Sequence, residues 1–217
     1  CVACTNKTTI ESNELQEAIS QVWLDANQAQ ELLDKVDANT LNEYEQQRYR
    51  LTRAHLMLKR ELRLPIESNL DAMAKYFANC EDEASASEAY YIQGAYLNYI
   101  GENTQAMQYL KKAESYPAAS IIRGMTYYKM GRISESEQLY DIALENYQKA
   151  LPYLEEAGLP LYLASVYREL GRNTHDESRN QYFDKALVAA RFMGDSILQM
   201  DIRYAQLSAN QDNSPEL

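Results

Sequence analysis

The side chains that could do chemistry in this chain are few and poorly spaced for it. The two histidines, His55 and His175, stand far apart, and neither lies in an H-E-x-x-H or cysteine-histidine pattern. Nothing in the spacing therefore gathers metal ligands on one helix face. The adjacent acids Glu155 and Glu156, and Asp82 and Glu83, leave a helix or turn in different directions, which is poor geometry for an acid and a base acting on one substrate. G-x-S-x-G and phosphate-loop signatures do not occur in the sequence. These residues predict a non-enzyme with no metal site and no cofactor.

The cysteines carry more information. Val2 and Ala3 before Cys4 resemble the end of a bacterial lipoprotein signal, in which small residues precede the cysteine that receives lipid. Cys1, freed by signal cleavage, would serve equally, and the sequence leaves both open. A disulfide between Cys1 and Cys4 would close so short a loop that it would stabilise almost nothing, which favours lipid attachment. Acyl chains contribute ~0.8 kcal/mol per buried CH₂, and two or more anchor stably. Residues 1–12 then form a lipid-attachment leader and polar tether that reaches the membrane through the N-terminal lipid. No apolar run approaches the ~20 residues of a spanning helix, so attachment falls to lipid or to sequence elsewhere. Cys80, in the stretch ANCEDE, reads as a lone, small buried hydrophobe.

The elements that must position any surface are helical. Gly94, Leu97 and Gly101 recur as Gly124, Tyr127 and Gly131, and again as Ala164, Tyr167 and Gly171. A small residue, a large one three later and a glycine four after that define the first helix of a tetratricopeptide repeat (TPR) pair. In the best-formed unit Ala106, Leu110 and Ala113 take the second-helix positions. Gly94 and Ala106 let two antiparallel helices approach, while Gly101 supplies the turn that ends the first helix. The same pattern makes Gly131 and Gly171 turn glycines. Gly101 to Gly131 is a step of 30 and Gly131 to Gly171 a step of 40, which puts the added length in the second helix. Ala150 to Gly158 is echoed by Ala186 to Gly194, a step of 36. A further first helix follows Gly194.

Upstream, helices are expected over 28–36, 44–61 and 66–78, the long one apolar on more than one side as if sandwiched between neighbours. Pro65, Pro117 and Pro160 fall in connections. No segment has the alternation of a strand. The fold expected is all-α, a single TPR-like α-solenoid over 13–210 with a polar tail at 211–217.

A formal charge of −11 excludes a nucleic-acid groove, which needs lysine and arginine to displace phosphate counterions. The basic run Arg48, Arg50, Arg53, Lys59, Arg60 and Arg63, interleaved with acids, reads as a solvated helix face.

Eighteen tyrosines remain. Tyr90, Tyr127, Tyr140, Tyr147 and Tyr167 occupy packing positions. Projecting the repeat places Tyr91, Ala95 and Asn98, then Ile121, Met125 and Tyr128, then Leu161, Ser165 and Arg168 on the inner face of the solenoid, flanked by Tyr99 and Lys129. Aromatic, amide and basic groups together suit a protein or peptide partner; a further helix packed on the same face is the alternative.

The stretches AISQVWLDANQAQELLDKVDANTLNEYEQQRYRLTRAHLMLK, AYYIQGAYLNYIGENTQAMQYLKKAE and LYLASVYRELGRN resemble the TPR-containing predicted lipoproteins and sensor-like proteins of Bacteroides-type bacteria. In that group such solenoids are often followed by a membrane helix, a coiled coil or a helix-turn-helix segment, so a regulatory role would belong to a longer parent. Lipoproteins exported to the surface of such cells tend to carry acids after the lipidated cysteine, and TNKTT has none. The resemblance implies a periplasm-facing protein. Three functions are consistent with it: a lipid-anchored scaffold binding a partner on its concave face, the extracytoplasmic sensory part of a transcriptional regulator, or a glycan-binding lipoprotein. A single tryptophan, Trp23, speaks against the last.

Overall fold

The computed structural model describes residues 9–60, 64 and 69–211. Among them are eleven α-helices and no strand, the all-α, TPR-like α-solenoid packing of neighbour on neighbour that the repeat implies. Contacts group the chain into two units, Cys1–Ala119 and Ser120–Leu217, where the repeat pattern leads one to expect a single solenoid. Cys1, Cys4, Arg63, Pro65 and the 212–217 tail lie outside the described residues.

The first unit holds α1 (Asn13–Gln21), α2 (Ala26–Leu33), α3 (Glu43–Lys59), α4 (Leu70–Asn79), α5 (Glu83–Tyr99) and α6 (Asn103–Glu114). Short polar side chains start them. Ser12 caps α1, and Asn42 with Glu45 forms a reciprocal capping box at α3, satisfying amides that a helix start leaves open. Glu45 also accepts from the backbone N–H of Glu11 and Ser12 at 2.7 and 3.0 Å. One carboxylate thus pins the start of α1 to the start of α3. Burial pushes its pKa up, but these amide donors outweigh that and hold it below the ordinary value,. Leu15, Ala18, Val22, Leu33 and Leu56 close the core between them. Helix α1 was not singled out in the sequence; its signal is the Ser12 cap followed by Leu15, Ala18 and Val22.

Helix α3 touches α1, α2, α4 and α5, which is why it is apolar on more than one side. It also corrects the reading of its basic run. Arg48 is buried and paired with Glu88 at 3.1 Å, and Lys59 is part-buried, donating to the Val22 and Trp23 carbonyls. Among the described residues of the run, Arg50, Arg53 and Arg60 are exposed. His55, 1 % exposed, meets the other Glu88 oxygen at 2.9 Å and lies edge-on to Trp23. Burial would raise the Glu88 pKa, yet Arg48 and His55 bring it down to about 2. The histidine is a core partner of a carboxylate.

The second unit holds α7 (Ser120–Ser136), α8 (Tyr140–Ala157), α9 (Pro160–Asn173), α10 (Arg179–Phe192) and α11 (Ser196–Gln211). Helix α7 pairs with α8 and α9 with α10, while α8 packs on α9 and α10 on α11. Short connections make neighbours antiparallel.

Glycines set the closeness of these pairs. A Cβ on Gly94 would lie 2.8 Å from Leu110 Cγ, one on Gly124 2.7 Å from Leu154, one on Gly131 2.5 Å from Tyr147 and one on Gly171 2.9 Å from Phe183. Gly101 does turn the chain, at φ +89. Gly131 and Gly171 do not: both sit inside a helix, opposite an aromatic ring. The turn after α7 is made instead by Gln138 at φ 62, with Leu139 N–H bonded to the Ser134 carbonyl. Helix α7 therefore runs five residues past Gly131, and the step of 40 reflects that overrun as well as the 18 residues of α8.

Candidate functional site

The projected inner face is not a continuous open surface. Tyr91, Ala95, Met125 and Tyr128 are all buried. In the first unit the Tyr91 ring lies against Trp23 and His55, at 5.9 and 6.3 Å between centroids, so α3 and the end of α1 cover it. Asn98 is partly exposed and its amide donates to Asn103 at 3.0 Å, while Tyr99 is 52 % exposed. In the second unit Ile121 and Lys129 are part-buried, Leu161 is exposed, and the Ser165 hydroxyl donates to the Leu161 carbonyl. Tyr128 and Tyr127 exchange the roles expected of them. Tyr128 packs on Tyr147 at 5.8 Å and is core, whereas Tyr127 is part-exposed and stacked on Tyr153. At these two positions the inner-face register read from the repeat is one residue out of phase with the faces of α7.

Arg168 belongs to a cluster of charged side chains. Beside it on α9 stands Glu169, whose side chain is fully buried. Its carboxylate faces Arg168 at 2.7 Å, Arg172 at 3.2 Å and, from α7, Arg132 at 3.8 Å. Arg172 also reaches Glu135 at 3.3 Å, and Glu135 accepts from the Tyr147 hydroxyl at 2.9 Å. A fully buried carboxylate is tolerated only when neighbours compensate its desolvation. Here three guanidiniums do so. Burial raises the pKa of Tyr147 and of Tyr128, and the nearby Glu169 charge raises each further. Burial alone would lower Arg168, but Glu169 outweighs it and holds the guanidinium charged.

The outer sides of these arginines open into a cavity of about 610 Å³. Its wall is built by the first helices of successive pairs: Arg132 and Glu135 from α7, Arg168 and Arg172 from α9, and Asp201, Tyr204 and Ser208 from α11. Tyr140, expected in the core, is 55 % exposed on the rim, and Tyr204 is 76 % exposed. Arg179 closes the floor. It is buried, its Nε donates to the Thr174 carbonyl and its Nη1 to the Ala209 carbonyl, and its Nη2 lies 2.8 Å from His175 Nδ1. The sequence offered Arg168 through the repeat register. Arg132 and Arg172 could have been found as residues one helical turn from Tyr128 and Arg168, but Tyr204 and Asp201 belong to a helix without a projected register.

A second, apolar hollow of about 510 Å³ lies between α9 and α10 and includes Leu163, Val188 and Phe192; Phe192 is 82 % exposed. Cys80 is buried and disulfide-bonded, so it is not the lone thiol the sequence suggests. No helix among the described residues is long and apolar enough to cross a membrane.

No family model matches the chain, and no solved structure matches it. Among curated proteins, the chain is similar to a photosystem I assembly protein, Ycf3, of Prochlorococcus marinus (strain MIT 9312). The two are 29 % identical over 113 residues, which cover 49 % of this chain and 64 % of that protein. The chain thus spans less than two thirds of the relative it matches.

Proposed function

We propose that this protein is a non-enzymatic interaction scaffold that holds a protein or peptide segment on the first-helix side of its second unit. The observation that carries the reading is the cavity walled by α7, α9 and α11, with the exposed rings of Tyr140 and Tyr204 at its edge. Tyrosine and arginine are enriched among the residues that dominate interface energetics. The similarity to a protein named for assembly work supports a role in bringing proteins together.

Panning a random peptide display library on the immobilised full chain tests the reading. Binders are expected, and Tyr204→Ala should weaken them at least tenfold with the melting temperature unmoved, because this ring lies largely in solvent. Phe192→Ala, in the apolar hollow, should leave them intact. Binders lost with Phe192→Ala and kept with Tyr204→Ala would move the site to the α9–α10 hollow and refute this one.

The scaffold is further proposed to be extracytoplasmic and lipid-anchored through Cys1 or Cys4. Small residues before Cys4 support the anchor; a disulfide at Cys80 suits an oxidising compartment,, and the cysteine that carries lipid cannot also be its partner. In a lipoprotein-processing host, the protein expressed behind a lipoprotein signal should partition into detergent. Mass analysis of the peptide carrying Cys1 and Cys4 should show acyl addition; an unmodified peptide would end the anchor idea.

A further inference from the structure

Resting on that reading of the cavity, we propose that its partner segment presents an acidic side chain, aspartate or glutamate, to Arg132 and Arg172, with a neighbouring apolar or aromatic residue against Tyr140 and Tyr204. The argument begins with charge. The chain carries a formal −11, yet four arginines line this one cavity, and against them stand Glu135, Glu169 and Asp201. One positive charge is left over. That surplus matches a single carboxylate and is too small for a polyanion, whose further charges would meet Asp201 and Glu135.

Geometry decides which of these guanidiniums a ligand can reach. Arg168 is turned inward on Glu169 and its side chain is 21 % exposed, whereas the side chains of Arg132 and Arg172 are 46 % and 47 % exposed. Glu169 attracts all three heads from behind, with Tyr128 bonding Arg132 and Glu135 pairing with Arg172, so two guanidinium faces are pre-positioned at the cavity wall at little further entropic cost. Guanidinium groups pair with carboxylates through two parallel hydrogen bonds. Arg179 adds a buried cation bonded to the Thr174 and Ala209 carbonyls and to His175, which keeps the floor of the cavity positive. The exposed rings beside it supply area for an adjacent apolar side chain.

Two display libraries of C-terminally capped peptides, one encoding all residues and one lacking Asp and Glu, are panned on the full chain in parallel. The first should yield binders sharing one acidic position, and the second none at this site. Changing that acid to its amide in a recovered peptide should weaken binding at least tenfold, and binding should fall as salt rises. Arg132→Gln and Arg172→Gln should each lose the preference for the acid. Asp201→Asn should act in the opposite direction and tighten binding severalfold, which a variant that merely unfolds cannot do. Arg203→Gln, on α11 but not on the cavity wall, should change nothing. If acid-free peptides bind with equal strength and compete for the cavity, the acidic preference is wrong while the scaffold reading stands. If neither library gives a binder, both are wrong.

Discussion

Gly131→Val is expected to destabilise the protein by about 3 kcal/mol or more, a larger loss than a change at a turn would bring. A glycine inside an exposed helix normally gains stability on acquiring a side chain, by up to about 1 kcal/mol, because the unfolded chain loses freedom. At this position the first added carbon already meets Tyr147 Cε1 at 2.5 Å and Cδ1 at 2.7 Å. The ring cannot step aside easily. It is fully buried, and its hydroxyl is bonded to Glu135. The helix pair must therefore spread, and overpacking of that kind costs about 1–3 kcal/mol or more where the neighbour is rigid. Urea unfolding followed by circular dichroism measures the difference. Were Gly131 a turn residue, a side chain there would cost about 1–2 kcal/mol, the penalty of a left-handed backbone. A loss that small would place the glycine outside the helix contact.

That comparison also shows what the sequence could and could not carry. Small-to-bulky pairing is written in residue types, so Gly94 with Leu110 and the α3–α4 region were legible to within a few residues. The end of α7 was not. A glycine at repeat spacing looks the same whether it ends a helix, as Gly101 does, or admits a ring, as Gly131 and Gly171 do. The distinction lies in the partner residue: Tyr147 and Phe183 are flat enough to lie over a bare backbone. Tyr127 and Tyr128 take the opposite faces from those the repeat register assigns, and Tyr140 lies on the rim of the cavity instead of in the core. The arginine cavity was partly legible, through Arg168 alone. Its organising residue, Glu169, is charged and fully buried, a combination that periodicity assigns to the surface.

Removing that carboxylate has the second large effect. Glu169→Ala should destabilise the protein by about 3 kcal/mol, since breaking a buried charge cluster from one side leaves the remaining charges uncompensated. The value sits at the low end for such losses because the side chains of Arg132 and Arg172 are nearly half exposed and can turn to water,. Glu169→Gln keeps an acceptor for Arg168 and should lose less. Replacing Glu169 by Ala and Arg168 by Met together should recover part of the loss, because the more buried of the three cations goes as well. An unchanged unfolding midpoint in Glu169→Ala would mean that the arginines hold their places without it, and the pre-positioned wall of the cavity would lose its cause.

The most direct measurement is hydrogen–deuterium exchange on the full chain, with and without a peptide recovered from the display selection. The first-helix account predicts slowed exchange in the second half of α7, in the second half of α9 and along α11, with the second helices α8 and α10 unchanged beyond their first turns at Tyr140 and Arg179. Slowing confined to α10 or to the first unit would contradict it.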